Sequence, residues 1–155
     1  MAAKASKRRA WVWFGAGAVA IVAGFWPTFY GDPRSNDLWH TAHGIAWTSW
    51  LALLITQSVL IGANRRRLHQ RLGWASVVLF GFLVGTTWTM IGVELRGPQP
   101  FPRRLRLELT FLDLVLLALF VGFYVAGIVW RRRPALHARL MGGTILVGLI
   151  PAVGR

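Results

Sequence analysis

The chain has 155 residues, 55% of them hydrophobic, with 18 Lys or Arg against 5 Asp or Glu, a formal net charge of +13 and a mean hydropathy of +0.48. It has no cysteine, which excludes disulfides, thiol catalysis, thiolate zinc sites and iron–sulfur clusters. Apolar runs of membrane-spanning length exclude a soluble enzyme, and the ten-residue alternation of an outer-membrane strand is missing, so the expected fold is an all-α, polytopic transmembrane helical bundle.

Hydropathy predicts about five helices, near 11–29, 38–62, 70–94, 109–130 and 138–153. A hydrocarbon core about 30 Å thick takes roughly 20 helical residues to cross. The first run follows Lys4, Lys7, Arg8 and Arg9 and has no small-x-small cleavage site immediately before Trp26-Pro27, so it reads as an uncleaved helix. Phe25, Trp26, Phe29 and Tyr30 at its end form an interfacial aromatic belt.

Along the second run, His40 and His43 share a helical face that continues through Trp47, Trp50, Leu54 and Gln57, a polar and aromatic stripe about 25 Å long. Polar residues within a span face the bundle or a cavity, because facing lipid costs kilocalories. The third run carries Gly81-x-x-x-Gly85-x-x-x-Thr89, read as a close-packing stripe inside the monomer. Breakers in Pro27 to Pro33 and in Gly97-Pro98-Gln99-Pro100-Phe101-Pro102 keep the connections short, so one integral membrane domain spans 1–155.

Basic residues orient the bundle. The N-terminus, Arg65–Arg71 and Arg131–Arg139 hold 12 of the 18 Lys and Arg, which places these segments in the cytoplasm and the C-terminus outside it. Every acidic residue (Asp32, Asp37, Glu94, Glu108, Asp113) falls on the opposite, extracytoplasmic side, and the implied location is a cell inner membrane. Arginines beside helix ends, with no aromatic-rich soluble fold around them, suit the lipid bilayer and its anionic headgroups rather than nucleic acid.

Leu68-His69-Gln70-Arg71-Leu72 and Leu136-His137-Ala138-Arg139-Leu140 repeat at an offset of 68 residues, which makes helices two and three one hairpin and helices four and five a second, parallel one. The offset sets His40 opposite Glu108, with Asp113 two residues beyond the equivalent of His43. Two imidazoles and a carboxylate suit zinc or iron(II), so His40, His43, Asp113 and Glu108 are candidate metal ligands. The alternative is hydrogen bonding across helices at headgroup level, with Asp113 paired to an arginine of the 103–106 cluster or carrying a proton.

His69 and His137 stand at equivalent helix starts, where facing imidazoles would ligate haem b from both sides. Free N–H groups there, with His and Arg, would instead hold a lipid phosphate. His40 and His43, neighbours on one helical face, cannot grip an iron from opposite directions.

Trp26-Pro27-Thr28-Phe29, His40-x-x-His43-Gly44-x-x-Trp47, Gln57-Ser58-x-Leu60-Ile61, Leu68-His69-x-Arg71-Leu72-Gly73-Trp74, Asp113 and Arg133-Pro134-x-x-His137-x-Arg139-Leu140-Met141 together resemble an uncharacterised bacterial multipass membrane protein family. The resemblance implies an architecture without an established activity, and a chain short at its C-terminus, since members often continue with further apolar segments. The functional expectation is an integral inner-membrane protein with a His/carboxylate polar or metal site at its extracytoplasmic end. Alternatives are a metal-dependent membrane enzyme, a hydrolase or oxidoreductase using His40, His43 and Asp113, and a b-type haem electron-transfer protein using His69 and His137. Transport ranks below these, because the broken helices of secondary transporters are not evident.

Overall fold

The computed structural model describes the backbone of residues 2–32, 34, 36–96 and 102–153, and the side chains of these apart from residues 2–11, 28 and 153. Five helices account for nearly all of it: α1 (Ala2–Phe25), continued by a π-helical turn (Trp26–Tyr30), then α2 (Leu38–Gly62), α3 (Arg66–Arg96), α4 (Arg103–Val129) and α5 (Pro134–Val153). The breakers Pro33 and Gly97 to Phe101 lie outside the described residues, as do the side chains of Lys4, Lys7, Arg8 and Arg9.

Helix α2 has the bounds that hydropathy predicts, while α3, α4 and α5 begin four to six residues earlier than expected. The added turns of α3 and α4 are arginine-rich and that of α5 is Pro134 to His137, and hydropathy cannot see them because a helix continues past the apolar slab wherever its backbone bonds are made. Four helices, α2 to α5, are long and apolar enough to cross a membrane, which makes this a multipass membrane protein. In α1 the apolar part among the described residues is Val12–Phe25, shorter than the span expected over 11–29.

Both hairpin turns follow from local chemistry. After α2, Asn64 takes φ 62°, a left-handed conformation that asparagine tolerates better than most residues. The Arg65 N–H then bonds Leu60 O at 2.8 Å and the Asn64 N–H bonds Ile61 O at 3.2 Å, a Schellman closure that satisfies the last carbonyls of the helix. After α4, Pro134 opens α5 at its first position, where the missing N–H costs nothing. The two repeats then start alike: the His69 N–H reaches Arg65 O at 3.1 Å and the His137 N–H reaches Arg133 O at 2.9 Å.

Consecutive helices pack side by side, and α1 closes the ring against α5. The middle of the ring is filled from α2, α3 and α4 by Trp50, Phe80, Phe120 and Tyr124. Trp50 is fully buried, its ring centre 5.2 Å from Phe120 and 5.5 Å from Tyr124. Phe80 stacks on Tyr124 at 4.2 Å. Two pairs of buried polar groups bond across helices, as a low-dielectric interior favours: Trp50 Nε1 donates to Thr144 Oγ1 (3.1 Å), and Ser76 Oγ meets the Tyr124 hydroxyl (2.9 Å). Helices two and four therefore touch through aromatic side chains.

Only 22–33% of each spanning window is buried inside the bundle, and large apolar residues such as Val19, Trp74, Val78 and Phe111 ring its exterior. One expectation is overturned on this surface. Gly81 and Gly85 are exposed, and a Cβ on either would meet no atom within 4 Å, so this stripe packs nothing within the monomer. Close approach occurs elsewhere, where Gly44 receives the Phe29 ring and Gly24 lies against the Ala152 backbone, positions a Cβ would occupy.

Candidate functional site

The end of the bundle that carries the carboxylates encloses a cavity of about 170 Å³. Its floor is apolar and aromatic, with Phe25, Phe29, Trp47, Leu116 and Phe120 among the walls. Its polar groups are Tyr30, Asn36, His40, His43, Thr87, Glu94 and Asp113. α1 and its π turn, α2, α3, α4 and α5 all contribute, so the cavity is a property of the closed ring rather than of one hairpin.

The π turn delivers two of these residues. Its closing bond runs from the Gly31 N–H to Trp26 O at 2.6 Å, five residues back, and Pro27 near its start removes a competing donor. Phe29 then lies on Gly44, and the Tyr30 hydroxyl bonds Thr48 Oγ1 at 2.7 Å, which fixes the turn to α2. Asn36 donates from Nδ2 to Phe29 O at 3.4 Å across the same segment.

His40 begins α2 beneath its cap. Asp37 accepts the His40 backbone N–H at 2.8 Å and approaches His40 Nδ1 at 2.9 Å. The N–H bond and the imidazole together hold the Asp37 carboxyl below its ordinary value. His43, one turn deeper and half-buried, places Nδ1 3.3 Å from Thr86 Oγ1 and its ring against Trp47 at 6.3 Å.

The expected ligand set does not assemble. Glu108 is exposed and pairs with Arg104 on its own helix, Nε to Oε1 at 3.0 Å, and takes no part in the cavity that His40, His43 and Asp113 line. The reason is helical phase: at about 100° per residue, five positions turn Glu108 roughly 140° away from Asp113. Among the described residues, no three His, Asp or Glu side chains form a group able to hold a metal ion. His40's carboxylate is Asp37, three residues before it and capping the same helix.

Glu94 is the residue that sequence reasoning passed over. It follows Thr87, Met90 and Ile91 on the face of α3 that holds buried Leu83, a spacing of three and four that was available in the sequence. The offset of 68 pairs α2 with α4 and gives Glu94 no equivalent in the second hairpin.

At the opposite, arginine-rich end the repeat brings its own copies together. The rings of His69 and His137 are 6.3 Å apart, centre to centre, with their planes crossed at 86°. His137 Nδ1 bonds Gly127 O at 2.8 Å, and because a carbonyl can only accept, this nitrogen carries the proton. His69 Nδ1 is buried with no hydrogen-bond partner, as is Gln57 Oε1, while Gln57 Nε2 donates to His69 O at 3.1 Å. The stripe on α2 therefore runs from one end of the bundle to the other, through buried Trp50 and Leu54.

Comparison with protein-family models, curated proteins and solved structures finds no match to this chain.

Proposed function

We propose that the protein is a ligand-binding protein of an inner membrane, oriented with its arginine-rich end in the cytoplasm, and that its extracytoplasmic cavity receives the head of a small membrane-dissolved molecule. The observation that carries this reading is the juxtaposition, in one cavity, of an aromatic floor with Glu94, Asp113, His40 and His43. Pockets of this kind hold the apolar body of a ligand and orient it by a few polar groups.

Size and charge narrow the ligand. Drug-sized pockets measure about 300–1,000 Å³, whereas a cavity of about 150 Å³ takes a single benzene ring. At about 170 Å³ this cavity fits one ring, with any alkyl tail left in the bilayer. The carboxylates of Glu94 and Asp113 accept hydrogen bonds, as the imidazoles of His40 and His43 can, so the head they favour is a donor, cationic or hydroxylated.

An alkylated hydroquinone and an alkyl benzylammonium serve as probes. Each is titrated into detergent-solubilised protein, with binding read by native mass spectrometry and thermal stabilisation. At least one should stabilise the wild type, and Glu94→Gln with Asp113→Asn should weaken it at least tenfold. A well-folded wild type that neither probe stabilises, or equal binding by the double variant, would discard the reading.

A further inference from the structure

The proposed ligand cavity uses nothing at the arginine-rich end, yet the two most regular features of the chain meet there. We propose that His69 and His137 are the two axial ligands of a haem, an iron porphyrin whose carboxylate side chains lie among the surrounding arginines.

Spacing is the first argument. Imidazole nitrogens bind metals at about 2.0–2.1 Å and each ring centre lies about 1.1 Å further back, so two rings on opposite sides of one ion have centres roughly 6.3 Å apart. Two neighbours of a tetrahedral ion would be closer, at about 5 Å. The observed 6.3 Å, with planes crossed at 86°, equals the centre-to-centre spacing that opposed ligands of one ion would take.

Hydrogen bonding is the second. A ligating histidine donates its other ring N–H to a carbonyl or carboxylate, which fixes the tautomer and aims the ring. His137 does this to Gly127 O at 2.8 Å, which leaves Nε2 as the nitrogen able to offer a lone pair to a metal. On His69 the buried Nδ1 has no hydrogen-bond partner, a desolvation cost that ligation through Nδ1 itself would offset.

Charge decides between ligands. Arg65, Arg66, Arg67, Arg71, Arg131, Arg132, Arg133 and Arg139 are exposed around the two helix starts, and among the described residues none has a carboxylate partner. A bare dication would be repelled here. Phosphate would suit the arginines but gains nothing from an imidazole lone pair. An iron porphyrin answers both demands, with a Lewis acid for the imidazoles and carboxylates for the arginines.

The test uses the full chain, expressed without a histidine tag in haem-replete cells, and titrated with hemin in mild detergent. The expected result is about one haem per chain with a low-spin, six-coordinate spectrum. His69→Ala and His137→Gly should each lose that spectrum or bind at least tenfold more weakly, and His43→Ala should keep it. Free imidazole added to His137→Gly should restore the low-spin spectrum, which a merely structural loss would not allow. Three results would overturn the proposal: a folded, monodisperse wild type that takes up less than a tenth of a haem per chain, a His69→Ala/His137→Gly double variant with an unchanged spectrum, or co-purifying phospholipid that depends on both histidines in a haem-free protein.

Discussion

The two ends of the bundle are built from the same repeat and treat it in opposite ways. At the arginine-rich end, equivalent residues of the two hairpins occupy equivalent places: His69 and His137 each bond back to the arginine four residues earlier, and their rings lie 6.3 Å apart with crossed planes. At the carboxylate end, the equivalents have parted. His40 is held by its own helix cap, its counterpart Glu108 turns outward to Arg104, and the space between the hairpins is lined by the π turn of α1, by Glu94 and by α5. An internal repeat thus foretells a site where both copies contribute the same residue, and misleads where they differ.

Between the ends lies a shared aromatic layer, and breaking it should abolish the distinction altogether. Phe120, buried to 2% exposure, contacts Trp47, Trp50 and Phe80. Phe120→Ala should cost about 3–5 kcal/mol, by the cavity it leaves, and lower the thermal midpoint in detergent with loss of ligand and haem binding together. Loss of only one would mean the ends are not coupled through this layer.

A change confined to one end should sharpen the contrast. Gly44→Val drives a branched side chain into the place of the Phe29 ring, at a cost of about 1–3 kcal/mol. It should impair probe binding at the cavity and leave the His69–His137 end unchanged, as read by parallel titrations with the amphiphilic probes and with hemin.

Smaller effects come from single hydrogen bonds in the layer between. Thr144→Val removes the acceptor of Trp50 Nε1, and Ser76→Ala the partner of the Tyr124 hydroxyl. Each should cost about 0.6–1.7 kcal/mol, the range for hydrogen bonds between membrane helices. A loss well above this in the melt would show that the bond holds a wider network.

The smallest effect is a pH dependence belonging to the carboxylate end alone. Asp37 is held below its ordinary value of 3.8 by the His40 N–H and imidazole, so it stabilises the start of α2 fully above that value and loses the contribution as pH falls through its lowered one. Asp37→Asn should therefore flatten the acid limb of stability below pH 3.8 without altering the arginine-rich end. An acid limb identical in the variant would remove Asp37 from the account.

How much was legible beforehand differs between these same regions. Hydropathy was enough for a helical membrane bundle, because apolar length is a local property and lipid forbids unpaired backbone. The His40, His43, Trp47, Trp50, Leu54, Gln57 stripe was legible from its period: Trp50 and Leu54 are buried, and His40, His43 and Trp47 line the cavity. The pairing of His69 with His137 was legible from the repeated phrase. Asp37 as the partner of His40 was open to reading too, through its capping position three residues before the histidine.

What the sequence determined, then, is whatever depends on neighbours along the chain: span lengths, caps, turns and the face each side chain shares. Which faces meet was decided only by tertiary packing. Closure of α1 against α5 brings Ile21, Phe25, Phe29 and Pro151 to a cavity that neither hairpin forms alone, admits Glu94, and leaves Glu108 and the Gly81–Gly85 stripe outside. The physical reason is that helix rotation and order around a ring are set by side-chain fit across helices far apart in the chain, which no periodicity within one helix encodes.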